Sequence, residues 1–371
     1  MILPRLALLA AFLLVGCSAR HGDAAQADSW PFRVESLTSF DEPWAMTFLP
    51  GGHALVTEKR GRLKLWAPGQ AAIDVAGVPA VHYSSQGGLA DIVLHPDYAH
   101  NHLVYLSYAE PGPGEASGGA VARATLTIAN GAARLDNLQV IWRQQPRMDG
   151  EQYALRIAFG PDRLLYVSSG ERQHFDPAQD LGSNLGKIVR LNDDGTPAAG
   201  NPFAARGGVA AQVWSFGHRN PLGLAFAPDG RLWEDEMGPR GGDEVNLILP
   251  GRNYGWPRAS NGSHYDGRDI PDHRPGDGFE PPKVWWNPSI SPSSLIIYTG
   301  AMFPAWRGDA LIGALSGQAF IHVRIRGDAA EKADQWDMGA RIREVEQGPD
   351  GAVYLLEDGP DGHLLRLTPR R

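Results

Sequence analysis

The chain has 371 residues, a formal charge of −8 and 20% charged residues, so it presents no basic footprint for nucleic acid. Its 45 glycines, 29 prolines and 11 tryptophans point to many short strands and tight turns and exclude a fold of long amphipathic helices rich in Ala and Leu. The single cysteine, Cys17, excludes an internal disulfide and leaves stability to core burial and bound metal.

In chain order, Arg5 precedes an apolar run from Leu6 to Val15 that is too short to span a bilayer and reads as the core of a signal peptide, residues 1–16. The run ends in Leu14-Val15-Gly16-Cys17, which resembles the bacterial lipobox; that resemblance implies cleavage before Cys17 and acylation of its thiol. Acyl chains contribute about 0.8 kcal/mol per buried methylene, enough to hold a protein at a membrane without a spanning helix. In lipoproteins of enteric type a residue other than Asp after the cysteine, here Ser18, implies the outer membrane, on the periplasmic side of the cell envelope. A plain secretory signal with Cys17 falling near its cleavage site is the alternative. Residues 17–29, small and polar, read as a flexible tether, and 30–371 as one repetitive domain.

One pattern then recurs: a short apolar strand, a Pro/Gly/Asp turn and a second apolar strand. It occurs from Ala45 to Glu58, Ala90 to Tyr108, Arg156 to Glu171, Leu222 to Glu236 and Ile342 to Asp358, with a degenerate copy from Ser294 to Val323. Such hairpins cannot cover their own apolar faces, and radial closure removes their exposed edges. The expected fold is all-β, a six-bladed β-propeller, with a strand near Phe32 to Leu37 completing the sheet that contains His363 to Pro369. The inserts 173–212 and 239–292 are expected to be binding loops.

Several loops carry candidate chemistry. Gln86 in Gln-Gly-Gly offers an amide beside glycines that permit close backbone approach, although such a segment also serves as a simple turn. Arg219 and Asn220, just before a strand, suit an anionic or carbonyl-bearing ligand or, equally, a surface salt bridge. The segment from Met237 to Pro257 combines backbone carbonyls at Gly238 and Pro239 with the acidic pair Asp243-Glu244, the oxygen donors a hard cation requires; an acidic turn is the plainer account. Arg341 and Arg343, two apart on a strand, share one face and suit a polycarboxylate or a solvated edge.

In order and spacing these segments, from Pro43 to Pro369, resemble the pyrroloquinoline quinone (PQQ)-dependent soluble aldose sugar dehydrogenases, the glucose/sorbosone dehydrogenase family. The resemblance implies PQQ and Ca2+ as cofactors, an aldose sugar oxidised at its anomeric carbon to a lactone, and an external electron acceptor. It implies quinone contacts from Gln86, Arg219, Asn220, Arg341 and Arg343, with Tyr265 and Trp256 in the loop lining the site. The carbonyls of Gly238 and Pro239 match those binding the calcium at the quinone, and Glu244 with the Tyr254 carbonyl those of a second, structural calcium.

Two positions depart from the family pattern. Gln152 stands where the family has its general-base histidine, and a carboxamide cannot take a proton near pH 7. Ser316 stands where many relatives have a lysine touching the quinone. Glu171 matches the carboxylate that supports the histidine, so Glu171, or second to it Glu151, becomes the candidate base, with Arg172 opposing any rise in the Glu171 pKa if the side chains meet. A calcium-dependent propeller lactonase and a non-catalytic binding propeller at the envelope are the rival functions. The anchor itself is testable: a Cys17→Ser variant should become soluble or remain unprocessed, whereas unchanged membrane fractionation and N-terminal mass would identify a plain secretory signal.

Overall fold

The computed structural model describes residues 29–114 and 116–370, so the leader, Cys17 and nearly all of the tether lie outside the described residues. The described chain is all-β, with one helical turn, Tyr98–Asn101, and four short 3-10 turns; none of its helices is long and apolar enough to cross a membrane.

The recurring hairpins form as the turn chemistry dictates, each opening an antiparallel four-stranded meander. Their first strands are Pro43–Phe48, Leu89–Leu94, Ala154–Phe159, Pro221–Phe226, Pro292–Ile297 and Ile342–Gln347. Each packs against the next in this order, and the last packs against the first, which closes a ring. The first two meanders are further joined by parallel pairing of Ile73–Ala76 with Ala132–Arg143. Two expectations need amendment. The inserts are not only loops: 173–212 contains the strand Lys187–Leu191, and 239–292 contains Asp243–Ile248 and Val284–Trp286, each an outer strand of its meander. The degenerate repeat begins at Pro292, and its two strands are separated by residues 298–309.

The N-terminal strand, Phe32–Phe40, runs past Leu37 and pairs antiparallel with Gly362–Pro369, so the last sheet is made from both ends of the described chain. Phe32 anchors it: the ring is fully buried, with its centroid 5.1 Å from Trp336, 5.8 Å from Phe320 and 6.0 Å from Trp306.

All six inner hairpins share a register shift near the third residue of the first strand. A bulge of this kind re-aims a side chain, and the six positions are Ala45, Asp91, Arg156, Gly223, Ser294 and Glu344. In three meanders a hydroxyl on the second strand accepts from the bulged amide and donates to the next inner strand: Thr57 to the Ala90 carbonyl, Ser107 to Leu155 and Ser168 to Pro221. In the fourth, Asp235 takes the hydroxyl's place opposite Gly223, where an added Cβ would lie 2.7 Å from the carboxylate carbon.

Arg156 ties these strands together. Its Nε donates to the Leu222 carbonyl (2.9 Å) and Nη2 to the Ser293 carbonyl (2.9 Å); Nη1 meets Asp91 (3.2 Å) and Glu344 (2.9 Å). The guanidinium also lies 4.4 Å from the centre of the Trp44 ring. One side chain thus touches all five other inner strands. Burial pushes the surrounding carboxyls up, Asp235 and Glu346 to about 8, and for Asp91 and Glu344 the attraction of Arg156 only partly offsets it. An Arg156→Leu variant should lose about 3–5 kcal/mol at pH 9, above the raised values of Asp235 and Glu346, because it strands buried carboxylates without a counter-charge. At pH 5.5 the loss should shrink, since carboxyls pushed higher still take up protons and need no cation. Urea unfolding at the two pH values checks this, and an equal loss at both would refute it.

Candidate active site

Two cavities open beside one another where the inner strands begin. The larger, about 330 Å³, brings together Gln86, Asn220, Tyr265, Arg341 and Arg343, five of the residues singled out in the sequence. The smaller, about 250 Å³, holds Gln152, Glu171, Arg219, Pro239 and again Tyr265, together with Phe175.

In the larger cavity the two arginines are held by a residue the sequence reading missed. Arg341 Nε donates to Asp358 Oδ2 (2.8 Å) and Arg343 Nε to Asp358 Oδ1 (2.9 Å). Burial pushes the Asp358 carboxyl up, but Arg343 and Arg341 outweigh it and hold it below the ordinary range. Gln86 is placed by Glu151, which accepts from the Gln86 amide (2.8 Å) and the Ser84 hydroxyl (3.2 Å). Glu151 is therefore turned to this loop and lines neither cavity, which removes it as a candidate base. Ser316 is exposed and shares a hydrogen bond with Ser291 (2.8 Å). Lys59, unnoticed in the sequence, lines the same cavity.

The Arg219-Asn220 turn is fixed from behind. Glu236 Oε2 accepts from the Arg219 amide (2.5 Å) and the Asn220 amide (3.3 Å), and Asn220 Oδ1 accepts from the Ala154 amide (3.1 Å). The Arg219 guanidinium donates to the carbonyls of Met237 (3.0 Å) and Gly238 (2.7 Å) and to the Tyr265 hydroxyl (3.2 Å), and lies over the Trp256 ring at 5.3 Å.

Gln152 bridges the two charged groups of the smaller cavity. Its amide nitrogen faces Glu171 Oε1 (2.5 Å) and its oxygen faces Arg219 Nη2 (2.6 Å), the orientation its neighbours assign. Glu171 Oε2 accepts from the Phe175 amide (2.5 Å). Burial raises the Glu171 pKa, opposed first by that amide and then by Arg219. Arg172 does not bond Glu171 and acts on it only through space: its guanidinium is spent on the carbonyls of Ser117, Met148, Gly150 and Glu151 and on the face of Tyr153. The backbone here is strained. Gln152, Ala154 and Leu155 have φ of 61°, 60° and 77°, and Arg172, Gln173 and Phe175 of 62°, 63° and 59°, left-handed values that residues with a Cβ avoid. Gly170 lets the two segments meet, since a Cβ there would overlap the Gln152 carbonyl.

Gly238, Glu244 and Tyr254 surround a third, polar cavity of about 10 Å³, room for one ion or water. Gly238, Pro239 and Met237 therefore face different spaces: the small polar cavity, the 250 Å³ cavity and, for Met237, the 330 Å³ cavity as well. Glu244 and Glu234 lie buried around the Asn246 amide nitrogen with Glu236 beside them, and burial and these like charges push both carboxyls well up. Glu234 Oε1 and Asn246 Oδ1 have no hydrogen-bond partner. Such a donor set fits a hard cation. Asp243 does not belong to it, because four donors already use its carboxylate: the Gly238, Ile290 and Ser291 amides and the Ser289 hydroxyl.

Residues 40–366 match the model of the family described as Glucose / Sorbosone dehydrogenase. The chain belongs to the glucose/sorbosone dehydrogenase family. It is 38% identical to the aldose sugar dehydrogenase YliI of Escherichia coli K12 over 89% of this chain and 91% of that protein, and 26% identical to the quinoprotein glucose dehydrogenase B of Acinetobacter calcoaceticus over 96% and 93%. The crystal structure of the Escherichia coli soluble aldose sugar dehydrogenase in the apo form superposes with a TM-score of 0.86, covering 91% of this chain and 100% of that one. The PQQ-bound aldose sugar dehydrogenase of Streptomyces coelicolor, 28% identical, gives 0.74 over 91% and 98%. These neighbours share the sugar dehydrogenase propeller fold, and the glucose/sorbosone dehydrogenase family assigns the chain an oxidoreductase function.

Proposed function

We propose that this six-bladed propeller is a PQQ- and calcium-dependent dehydrogenase that oxidises the anomeric carbon of aldose sugars to lactones, at the periplasmic face of the envelope through lipid on Cys17. The observation that carries the proposal is the larger cavity, where Gln86, Asn220 and the Asp358-clamped pair Arg341 and Arg343 converge as donors for a planar polycarboxylate. Arg219 joins them from the adjoining wall, its guanidinium bonded to Tyr265, which lines both cavities. Carbonyls at Gly238 and Pro239 would hold the calcium beside the quinone only once the Arg219 guanidinium, bonded to the Gly238 carbonyl at 2.7 Å, gives that carbonyl up, and Glu244 with the Tyr254 carbonyl would hold the structural one. When bound, PQQ supplies the hydride acceptor and calcium the Lewis acid that polarises it.

The residues of the 250 Å³ cavity supply the proton chemistry. The sugar sits there, and Glu171 takes the proton of the anomeric hydroxyl. Gln152 cannot take it, but by donating to Glu171 Oε1 and accepting from Arg219 it orients both groups. Burial raises the Glu171 pKa above the ordinary carboxylate range, which makes the carboxylate a better acceptor than an ordinary one.

Two experiments test the proposal. Calorimetry should show PQQ binding that needs calcium, and Ala at both Arg341 and Arg343 should weaken it by about a hundredfold or more; no heat and no thermal shift with excess calcium would end the dehydrogenase reading. In turnover assays with an artificial dye, native activity should be low and should rise with pH as Glu171 loses its proton above the ordinary carboxylate range. Glu171→Gln should abolish it, and Gln152→His should raise it by about 10²–10⁴. Native turnover untouched by Glu171→Gln would exclude Glu171 as the base, and a PQQ-loaded Gln152→His variant without turnover would favour a binding propeller.

A further inference from the structure

We infer that Lys59 is a further anion ligand of the larger cavity, a third cation that reaches the same bound polycarboxylate from the opposite side of the ring closure to Arg341 and Arg343. The inference rests on the PQQ reading and names a residue that reading did not contain.

Lys59 follows the second strand of the first meander, whereas Arg341 and Arg343 belong to the last, and these two meanders are neighbours where the ring closes. Its side chain is largely covered, 17% exposed, yet it lines the cavity together with both arginines. The ammonium is positioned rather than free to wander. It donates to the Ser85 carbonyl (3.0 Å), next to Gln86, and pairs with Glu42 at 3.4 Å. An ammonium has three N–H donors, so one remains for a ligand in the cavity.

The backbone has been cleared for this approach. Gly88, at φ 143°, passes across Lys59, and a Cβ there would come within 2.7 Å of Lys59 Cγ. The Leu89 amide donates to the Lys59 carbonyl (2.9 Å), which locks the two segments together. A second glycine, Gly87, likewise has no room for a Cβ, which would lie 2.6 Å from the Ser84 hydroxyl oxygen. Gly88 therefore lets the Gln86 loop close over the lysine stem, and Gly87 lets the loop fold on itself.

Charge points the same way. Three cations, Lys59, Arg341 and Arg343, and two carboxylates, Glu42 and Asp358, line this cavity, a local excess of one positive charge in a chain whose formal charge is −8. Asp358 is shared by both arginines, and Glu42 is shared between Lys59 and Arg60. A ligand with carboxylates on two edges can meet the arginine pair with one and Lys59 with another, which a monocarboxylate cannot do.

The test is PQQ affinity, measured by fluorescence titration with calcium in excess, so that it does not depend on turnover. Lys59→Gln should weaken PQQ by about ten- to a hundredfold, Lys59→Met should match it, and Lys59→Arg should stay within a few fold of the native protein. Unfolding curves superimposable on native ones establish that the variants are folded. If folded Lys59→Gln and Lys59→Met bind PQQ within about twofold of native while the Arg341 and Arg343 variants fail, Lys59 is not a ligand and the cofactor reading stands. If the native protein binds no PQQ, both fall together.

Discussion

The ring depends on one buried guanidinium. Arg156 bonds to, or stacks upon, residues of every other inner strand, and does so with a planar group whose donors point in fixed directions. A hydrophobic plug would fill the same space without specifying which strand stands where. The cost is a set of carboxyls held in a low-dielectric axis, and the shared bulge at the third residue of each inner strand aims two of them, Asp91 and Glu344, there. The same bulges set the starts of the inner strands, and the cavities open at those starts. Position of the axis and position of the site are thus one geometric problem.

How much of this was legible depended on whether the signal was local. The hairpins announced themselves because Pro, Gly and Asp turns and alternating apolar residues are properties of a dozen consecutive residues. The arginine pair was legible for the same reason, being two residues apart. Asp358 and Lys59 were not, since what makes each of them part of the site is a neighbour from a distant stretch of sequence or from another meander. The outer strands inside the long inserts escaped notice because Lys187–Leu191 and Val284–Trp286 are short and are flanked by loops far longer than the strands themselves. Asp235 is an instructive middle case: its kinship with Thr57, Ser107 and Ser168 can be read in the sequence once the hairpins are stacked in register, but an acid in a hydroxyl's position looks like a break in the pattern until Gly223 is seen to make room for it.

Gln152 holds the two charged groups of the smaller cavity in place, its amide nitrogen on Glu171 and its oxygen on Arg219. Both segments involved hold left-handed backbone at residues with side chains, a strain that only a well-determined surround can sustain. Part of that surround is supplied by Arg172, whose guanidinium gathers four carbonyls. Here an arginine shapes backbone, much as a bound ion would.

The strand Phe32–Phe40 lies at the beginning of the described chain and Gly362–Pro369 at its end, yet they are partners in one sheet. Every other sheet can assemble from consecutive segments as they emerge; this one has to wait. A chain delivered from its N-terminus, whether by a ribosome or through a translocation pore, keeps that first strand unpaired until some 320 residues later the last one arrives. Closure of this sheet is therefore the last pairing the described chain can make: until Gly362–Pro369 arrives, Phe32–Phe40 keeps an unpaired edge.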